Sequence, residues 1–464
     1  MPALHELTAA ELSVAFARRD LSPVEVTEAV LRRVEQCEGR LNAMFLVQGE
    51  SARAVAREAE RRWAAGAPLS PIDGVPITIK ENLYTRGDPA PLGTAAGDLS
   101  PRPADAPSAA RVREAGCVII GKTTMPDFGM LSAGLSSIHG ITRNPWRPDR
   151  NPAGSSSGAG AAAAAGYGPL HLGTDIGGSV RLPAMHCGLF GLKPSLGRVP
   201  IDPPYMGRVA GPMTRTVRDA AMLMNVVCRP DARDWMSLPY QPVDYAAQLE
   251  GLSLRGLRIG LLADMRCGLP VHPEVSAALG QAARALANAG AVVEPIESFM
   301  TPPMLDGICR FFEARSHLDL AAMDEARRAK VLPFVVEWAT WRAAAFSGAD
   351  LMAAYGQVMA MREAAVRAVG RHDFVLSPTS PVPAHGAEQH SPSDDPHDAL
   401  SHIAFTVAYN MSEQPAASLN WSWTADGLPL GIQLVGQRFD DLGVLRLARA
   451  VELLRPAQRP WPTP

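Results

Sequence analysis

Lysine is scarce in this chain. Of 44 basic residues only Lys80, Lys122, Lys193 and Lys330 are lysines. Arginine supplies generic positive charge, so a retained lysine is a candidate for what arginine cannot do, such as losing its proton in a buried site. Excess charge of either sign is missing too. The formal net charge is −3, and the basic residues are scattered rather than clustered. That balance excludes an electrostatic footprint for a nucleic-acid groove or an anionic membrane. No long apolar run occurs, and the opening MPALHELTAAELSVAFARRD mixes charges into a helical pattern. A transmembrane or secretory segment is therefore not expected, and the chain reads as cytoplasmic. The six cysteines form no C-x-x-C pair. This argues against a zinc site or a dense disulfide framework and for reduced, mostly buried thiols.

What is present is core. Almost half of the 464 residues are apolar, enough for one large α/β domain or two ordinary ones. Thr8-x-x-Glu11 and Ser22-Pro23-x-Glu25 predict helix starts, and residues 51–65 predict a further helix. The first seventy residues thus read as helices. From residue 74 the pattern becomes α/β. Val75, Ile77 and Ile79 alternate with Thr78 and Lys80 in a strand. A helix near 107–115 leads into a strand from Cys117. Strands at 257–262 and 291–296 flank an alanine-rich helix at 274–289. Helix–Gly–strand alternation predicts a large mixed β-sheet covered by helices on both faces. Residues 300–370 read as helical, with Trp338 and Trp341 as core, and residues 384–398 as a solvated loop. His385, His390, His397, Asp394 and Asp395 in that loop fit no standard metal-ligand spacing. With no clean linker and no internal repeat, residues 1–464 are expected to form one unit. It divides into N-terminal helices (1–70), a core at about 71–220 and a C-terminal α/β part at about 221–464.

The informative stretch is NPAGSSSGAGAAAAAGYGPLHLGTDIGGSVRLPAMHCGLFGLKP, residues 151–194. Its serines precede a good helix former and are well placed to cap it. Gly177 and Gly178 allow a tight turn that points successive N–H groups at one spot, beside the Ser179 hydroxyl. Such a nest meets the requirement for stabilising the oxyanion of acyl transfer. Gly154-x-Ser156-x-Gly158 matches a nucleophile elbow, but the preceding segment carries three prolines and cannot be a central strand. Phosphate-binding and S-x-x-K motifs are absent. A serine hydrolase without an obvious histidine needs another base. Lys80, at the end of an apolar strand, is a candidate because burial favours its neutral form. A structural pairing with Glu81 is the alternative.

Together, Gly74–Asn82, Gly154-Ser155-Ser156, Gly173–Ala184, Gly191–Arg198, Gly211-Pro212 with Arg215–Asp219, and Gly431–Gly436 resemble the amidase signature family. The resemblance spans roughly residues 5–460. It implies a Ser–cis-Ser–Lys triad without metal or other cofactor: Ser179 as nucleophile, Ser155 as bridging serine after a cis peptide, and Lys80 as neutral general base. It also implies an oxyanion hole from the N–H groups of Ile176, Gly177, Gly178 and Ser179, with Ser156, Asp175 and Arg181 in support. Ser157 stands where family members often carry glycine, which is expected to be harmless. By the same resemblance Gly129, Met130 and Leu131 border the acyl pocket, and the stretch around 310–360 forms another wall.

The expected activity is hydrolysis of a small amide, anilide or carbamate through a seryl acyl-enzyme, with possible esterase action, by a monomer or homodimer. One alternative is the glutaminase component of a tRNA-dependent amidotransferase. Its glycine- and arginine-rich glutamine-binding segment is not recognisable in VVEWATWRAAAFSGADLMAAYGQ (335–357). Another is a non-catalytic binding protein on the same scaffold, which loss of Ser179 or Lys80 would have suggested.

Overall fold

The computed structural model describes residues 3–464. Both expected capping boxes form. Thr8 Oγ1 accepts from the Glu11 N–H while the Glu11 carboxylate accepts from Thr8 N; at the second start the Ser22 hydroxyl accepts from Val24 N and the Glu25 carboxylate from Ser22 N. Helices Ala9–Arg18 and Pro23–Leu41 follow, then Gly49–Ala64. The all-helical expectation for this region needs one correction. Met44–Val47 is a strand, β1, whose four residues are too few to show a period before pairing supplies its partner.

The remaining strands are β2 (Pro76–Lys80), β3 (Val118–Thr123), β4 (Leu135–Ser136), β5 (Gly140–Ile141), β6 (Leu170–Asp175), β7 (Phe190–Lys193) and β8 (Val209–Thr214). They continue as β9 (Arg258–Leu261), β10 (Val292–Pro295), β11 (Phe374–Pro378), β12 (Ala416–Trp423) and β13 (Pro429–Val435). Eleven of them form one sheet in the order β1-β3-β2-β6-β8-β7-β12-β13-β11-β9-β10, while β4 and β5 pair separately. The sheet is mixed. β3-β2-β6 are parallel, β6 through β13 alternate antiparallel, and β11-β9-β10 are parallel again. Alternate residues of one strand feed different cores. Phe374 and Leu376 join one cluster and Val375 another, so helices cover both faces.

Parallel pairing of β2 with β6 sets Ile77, Thr78 and Ile79 beside Leu170, His171 and Leu172. Lys80 and Thr174 therefore emerge at the same carboxyl edge of the sheet, where ligand clefts of α/β sheets form. Against this edge lies the helix Ser157–Ala165, buried at every position. Small residues permit that depth. A Cβ on Gly158 would lie 2.3 Å from the Ala43 carbonyl oxygen.

The 300–370 region is helical as expected: Pro302–Ala321, Glu325–Arg328, Pro333–Thr340 and Gly348–Val369. Two expectations change. Trp338 is core as expected, though it also borders a cleft, but Trp341 is 40% exposed. The 384–398 segment is not wholly solvated. Its carbonyl groups at 385, 387 and 389 accept from Asn151, which buries His385 and Ser391. Among the described residues no helix is long and apolar enough to cross a membrane. None of their His, Cys, Asp and Glu side chains forms a group of three or more able to hold a metal ion.

Candidate active site

Lys80 ends β2 fully buried. Its Nζ donates to Ser155 Oγ at 2.8 Å and to Thr174 Oγ1 at 2.9 Å. Burial pushes its pKa well below the ordinary lysine value, and the nearby charge of Arg208 acts in the same direction against Asp175 and Glu81. Glu81 is engaged elsewhere, accepting from the Gly93 N–H at 2.8 Å and pairing with His139 Nε2 at 2.6 Å. Lys122 and Lys193 are equally buried, and burial brings both to about 7. They meet only backbone carbonyls, those of Leu83 and Pro194. Scarcity in the sequence thus marked three buried lysines, and hydroxyl partners distinguish one of them.

The Gly154–Ser155 peptide is cis. Ser156 N donates to the Ser179 carbonyl at 3.2 Å. Its hydroxyl does not cap the following helix, as the sequence suggested; it donates to the Thr174 carbonyl at 3.1 Å and accepts from Thr174 N at 3.2 Å. These bonds sew the serine loop to the end of β6. Gly129, at φ +69°, lies so close that a Cβ there would sit 3.3 Å from Ser155 Oγ. Ser157 is buried at the first helical position with its hydroxyl unpartnered.

The 175–181 turn is held from behind. All five guanidinium N–H bonds of Arg181 are used, reaching both Asp175 oxygens, Asn410 Oδ1, Gln433 Oε1 and the Thr406 carbonyl. Burial opposes the Asp175 charge, but the Arg181 charge and the bonds from Arg181 and Asn410 override it and keep the carboxyl below its usual range. Asp175 Oδ1 also accepts from Gly178 N at 2.8 Å. This corrects the expected set of four oxyanion donors, because the Gly178 N–H already has a partner. The N–H groups of Ile176, Gly177 and Ser179 have none within the described residues. Ser179 itself, 8% exposed, lines the cleft.

That cleft, counted together with the open solvent at its mouth, spans about 730 Å³. Gly129, Met130 and Leu131 line it beside Ser179, Ile176 and Gly177. A family model for amidases matches residues 25–445.

The chain belongs to the amidase family. It is an amidase-signature hydrolase acting on amide C–N bonds. Across 97% of its length it is 34% identical to a component of the glutamyl-tRNA(Gln) amidotransferase of Myxococcus xanthus, covering 97% of that protein. It is also similar to a solved bacterial aryl acylamidase, with a TM-score of 0.90, 30% identity and coverage of 98% and 97% of the two chains. The 6-aminohexanoate cyclic dimer hydrolase superposes with a TM-score of 0.88 at 27% identity, covering 98% of each chain.

The amidase fold also brings to the cleft residues that sequence reasoning did not assign to the site. Phe312, Arg315, Ser316 and Asp319 come from the helix Pro302–Ala321, Trp338 from Pro333–Thr340, and Leu400 and Ile403 from the segment after the 384–398 loop. A signal existed for the first four. Their spacing of 0, 3, 4 and 7 is one helical face. That face mixes apolar and charged residues, so hydrophobic periodicity alone passes over it.

Proposed function

We propose that Ser179 is the nucleophile, Ser155 the proton bridge and Lys80 the general base of a stand-alone amidase for small amides, anilides or carbamates. The carrying observation is the buried Lys80 Nζ, 2.8 Å from Ser155 Oγ, behind a cleft that exposes Ser179 and three unpartnered N–H groups. As a neutral amine Lys80 takes the Ser155 proton, Ser155 takes that of Ser179, and the Ser179 oxygen attacks the carbonyl carbon. The N–H groups of Ile176, Gly177 and Ser179 stabilise the developing oxyanion. The proton returns to the leaving nitrogen, the C–N bond breaks, and water releases the acyl group by the same relay. Ser156, Asp175 and Arg181 hold these groups in place without touching substrate. The apolar lining, with Met130, Leu131, Phe312 and Trp338, favours an alkyl or aryl acyl group.

The whole chain acts as one unit in this reading, because strands from residues 44–214 and from 258–435 share one sheet. A cytoplasmic monomer or homodimer needs no partner for the chemistry. A second reading, the glutaminase component of a tRNA-dependent amidotransferase, is favoured by the full-length 34% identity to such components. The test is to incubate the purified protein alone with an anilide, a primary aryl amide, an aryl carbamate and glutamine, beside Ser179→Ala and Lys80→Ala. Turnover of any of the first three, lost in both variants, supports the stand-alone amidase. Glutamine as sole substrate, or a need for partner proteins, moves the chain to the second reading. Binding without turnover of any amide would mark the scaffold as non-catalytic.

A further inference from the structure

Among the described residues, one cationic side chain lines the cleft, and it has no hydrogen-bond or ion-pair partner. Arg315, an exposed residue of the helix Pro302–Ala321, lines the same cleft as Ser179 and makes no hydrogen bond or ion pair with any described residue. Its guanidinium carbon lies 4.4 Å from the ring centroid of Tyr205. Stacking of this kind fixes the plane of a guanidinium while leaving its in-plane N–H donors free. Other arginines on this side of the molecule are used structurally. Arg310 and Arg342 bond Asp306, and Arg342 also Glu313.

The surroundings add positive charge. Arg208 follows Tyr205 by one turn, its backbone N–H donating to the Tyr205 carbonyl at 3.0 Å, and its guanidinium donates to the Pro203 carbonyl at 2.9 Å. The Arg208 charge acts on Lys80, and that of Arg315 on Arg208. Asp202 offsets Arg208, and Asp319, one helical turn beyond Arg315, is the one carboxylate lining the cleft. Asp319 forms no ion pair with Arg315 within 4.0 Å. It makes the rim poor for a dianion such as phosphate, whereas a single carboxylate can take the fork of donors that Arg315 presents.

Resting on the reading of this cleft as the acyl pocket, we infer that Arg315 is a specificity-determining residue that binds a carboxylate at the far end of the substrate's acyl chain. The preferred substrates are then amides of dicarboxylic acids. The apolar lining near Ser179 holds the methylene or aryl spacer, Arg315 takes the distal carboxylate, and hydrolysis releases the free diacid and an amine.

The experiment compares glutaric acid mono-4-nitroanilide with its methyl ester, which has the same spacer but no charge. Wild-type kcat/KM is expected to favour the acid by about 10- to 100-fold, the range of a charge-assisted hydrogen bond. The preference collapses in Arg315→Gln, survives in part in Arg315→Lys, and increases in Asp319→Asn. Thermal melting of each variant checks folding. Calorimetric titration of the wild type and Arg315→Gln with glutarate reads the same subsite without turnover, and the variant should bind it at least about 10-fold more weakly. Equal kcat/KM for acid and ester in the wild type, or an acid preference or glutarate affinity unchanged in Arg315→Gln, overturns the inference. Hydrolysis of neutral amides with no acid preference sinks the carboxylate subsite alone. Failure to hydrolyse any anilide, amide or carbamate sinks the stand-alone reading, while glutarate binding still decides the role of Arg315.

Discussion

From Asn151 to Pro200 every residue is buried except Ile176, which is half-buried where the chain meets the cleft. Across residues 301–370, which form the facing wall, buried and exposed positions interleave. The floor is rich in Gly, Ala and Ser packed to backbone contact, and its Asp175–Arg181 pair is fully hydrogen-bonded. The wall is made of helices whose cleft-lining positions mix buried Phe312 and Trp338 with exposed Arg315 and Asp319. In the floor a single position has one acceptable occupant, because neighbours stand closer than a Cβ permits. In the wall, volume and charge can be exchanged while the helices persist. Chemistry belongs to the first kind of structure and selectivity to the second.

Substitutions in the two regions should therefore differ in kind. The largest effect is expected at the floor. Ser179→Ala should lower kcat by about 10³-fold or more, and Lys80→Arg should do the same, because arginine does not release its proton to become a neutral base. Steady-state rates on any turned-over amide check both, and an active Lys80→Arg would remove Lys80 from its role as base. Next comes Arg181→Met. It leaves the buried Asp175 carboxylate without its cation and is expected to cost about 3–5 kcal/mol of stability, read from chemical denaturation. A loss below about 1 kcal/mol would show the floor to be more tolerant than its packing implies.

At the wall, Trp338→Phe should preserve the fold and shift the ratio of kcat/KM for bulky over small acyl groups by about 10-fold. A fall in kcat equal for all substrates would instead tie the wall to the chemistry. The smallest effect concerns three buried histidines behind the floor. His186, His385 and His402 are buried with five ring nitrogens unpartnered. Burial is the first cause lowering all three, to about 4 for His186 and about 3 for His402, and His186 repels both others. The unfolded chain binds protons at these sites near pH 6.5 while the folded chain resists, so their stability is present above 6.5 and drains as pH falls toward 4. Removing one titrating group in His402→Leu should flatten the acid side of the melting-temperature profile, by roughly 1–2 kcal/mol at pH 5. An acid limb identical to wild type would contradict this.

Legibility in the sequence followed the same division. Where local pattern carries the information, the fold was readable: the Thr8 and Ser22 helix starts, the β2, β9 and β10 strands, and the helices of 300–370. β1 was missed because a four-residue edge strand acquires identity only from its partner β3. Lys80 was readable as a candidate, but its scarcity signal applied equally to Lys122 and Lys193. The difference lies in which groups two other segments deliver to Nζ. The capping expectation for Ser156 and the donor expectation for Gly178 failed for one reason. Each group has a stronger partner, Thr174 or Asp175, brought near by the turn itself. His385 looked solvated because loop composition is polar, whereas its burial depends on Asn151, far away in the chain.

Sequence by itself determined the family, the mixed α/β architecture and the short list of groups able to do amide chemistry. These depend on residue type and on spacing along the chain, which local sterics and hydrophobic periodicity translate directly. Tertiary structure alone decided which of three buried lysines meets a serine hydroxyl, which backbone N–H groups remain free, and which side chains of the helical wall look into the cleft. Those are matters of distance between segments as remote as residues 80, 155, 179 and 315. No local interaction sets such distances; they are set when the sheet closes and the helices pack against it.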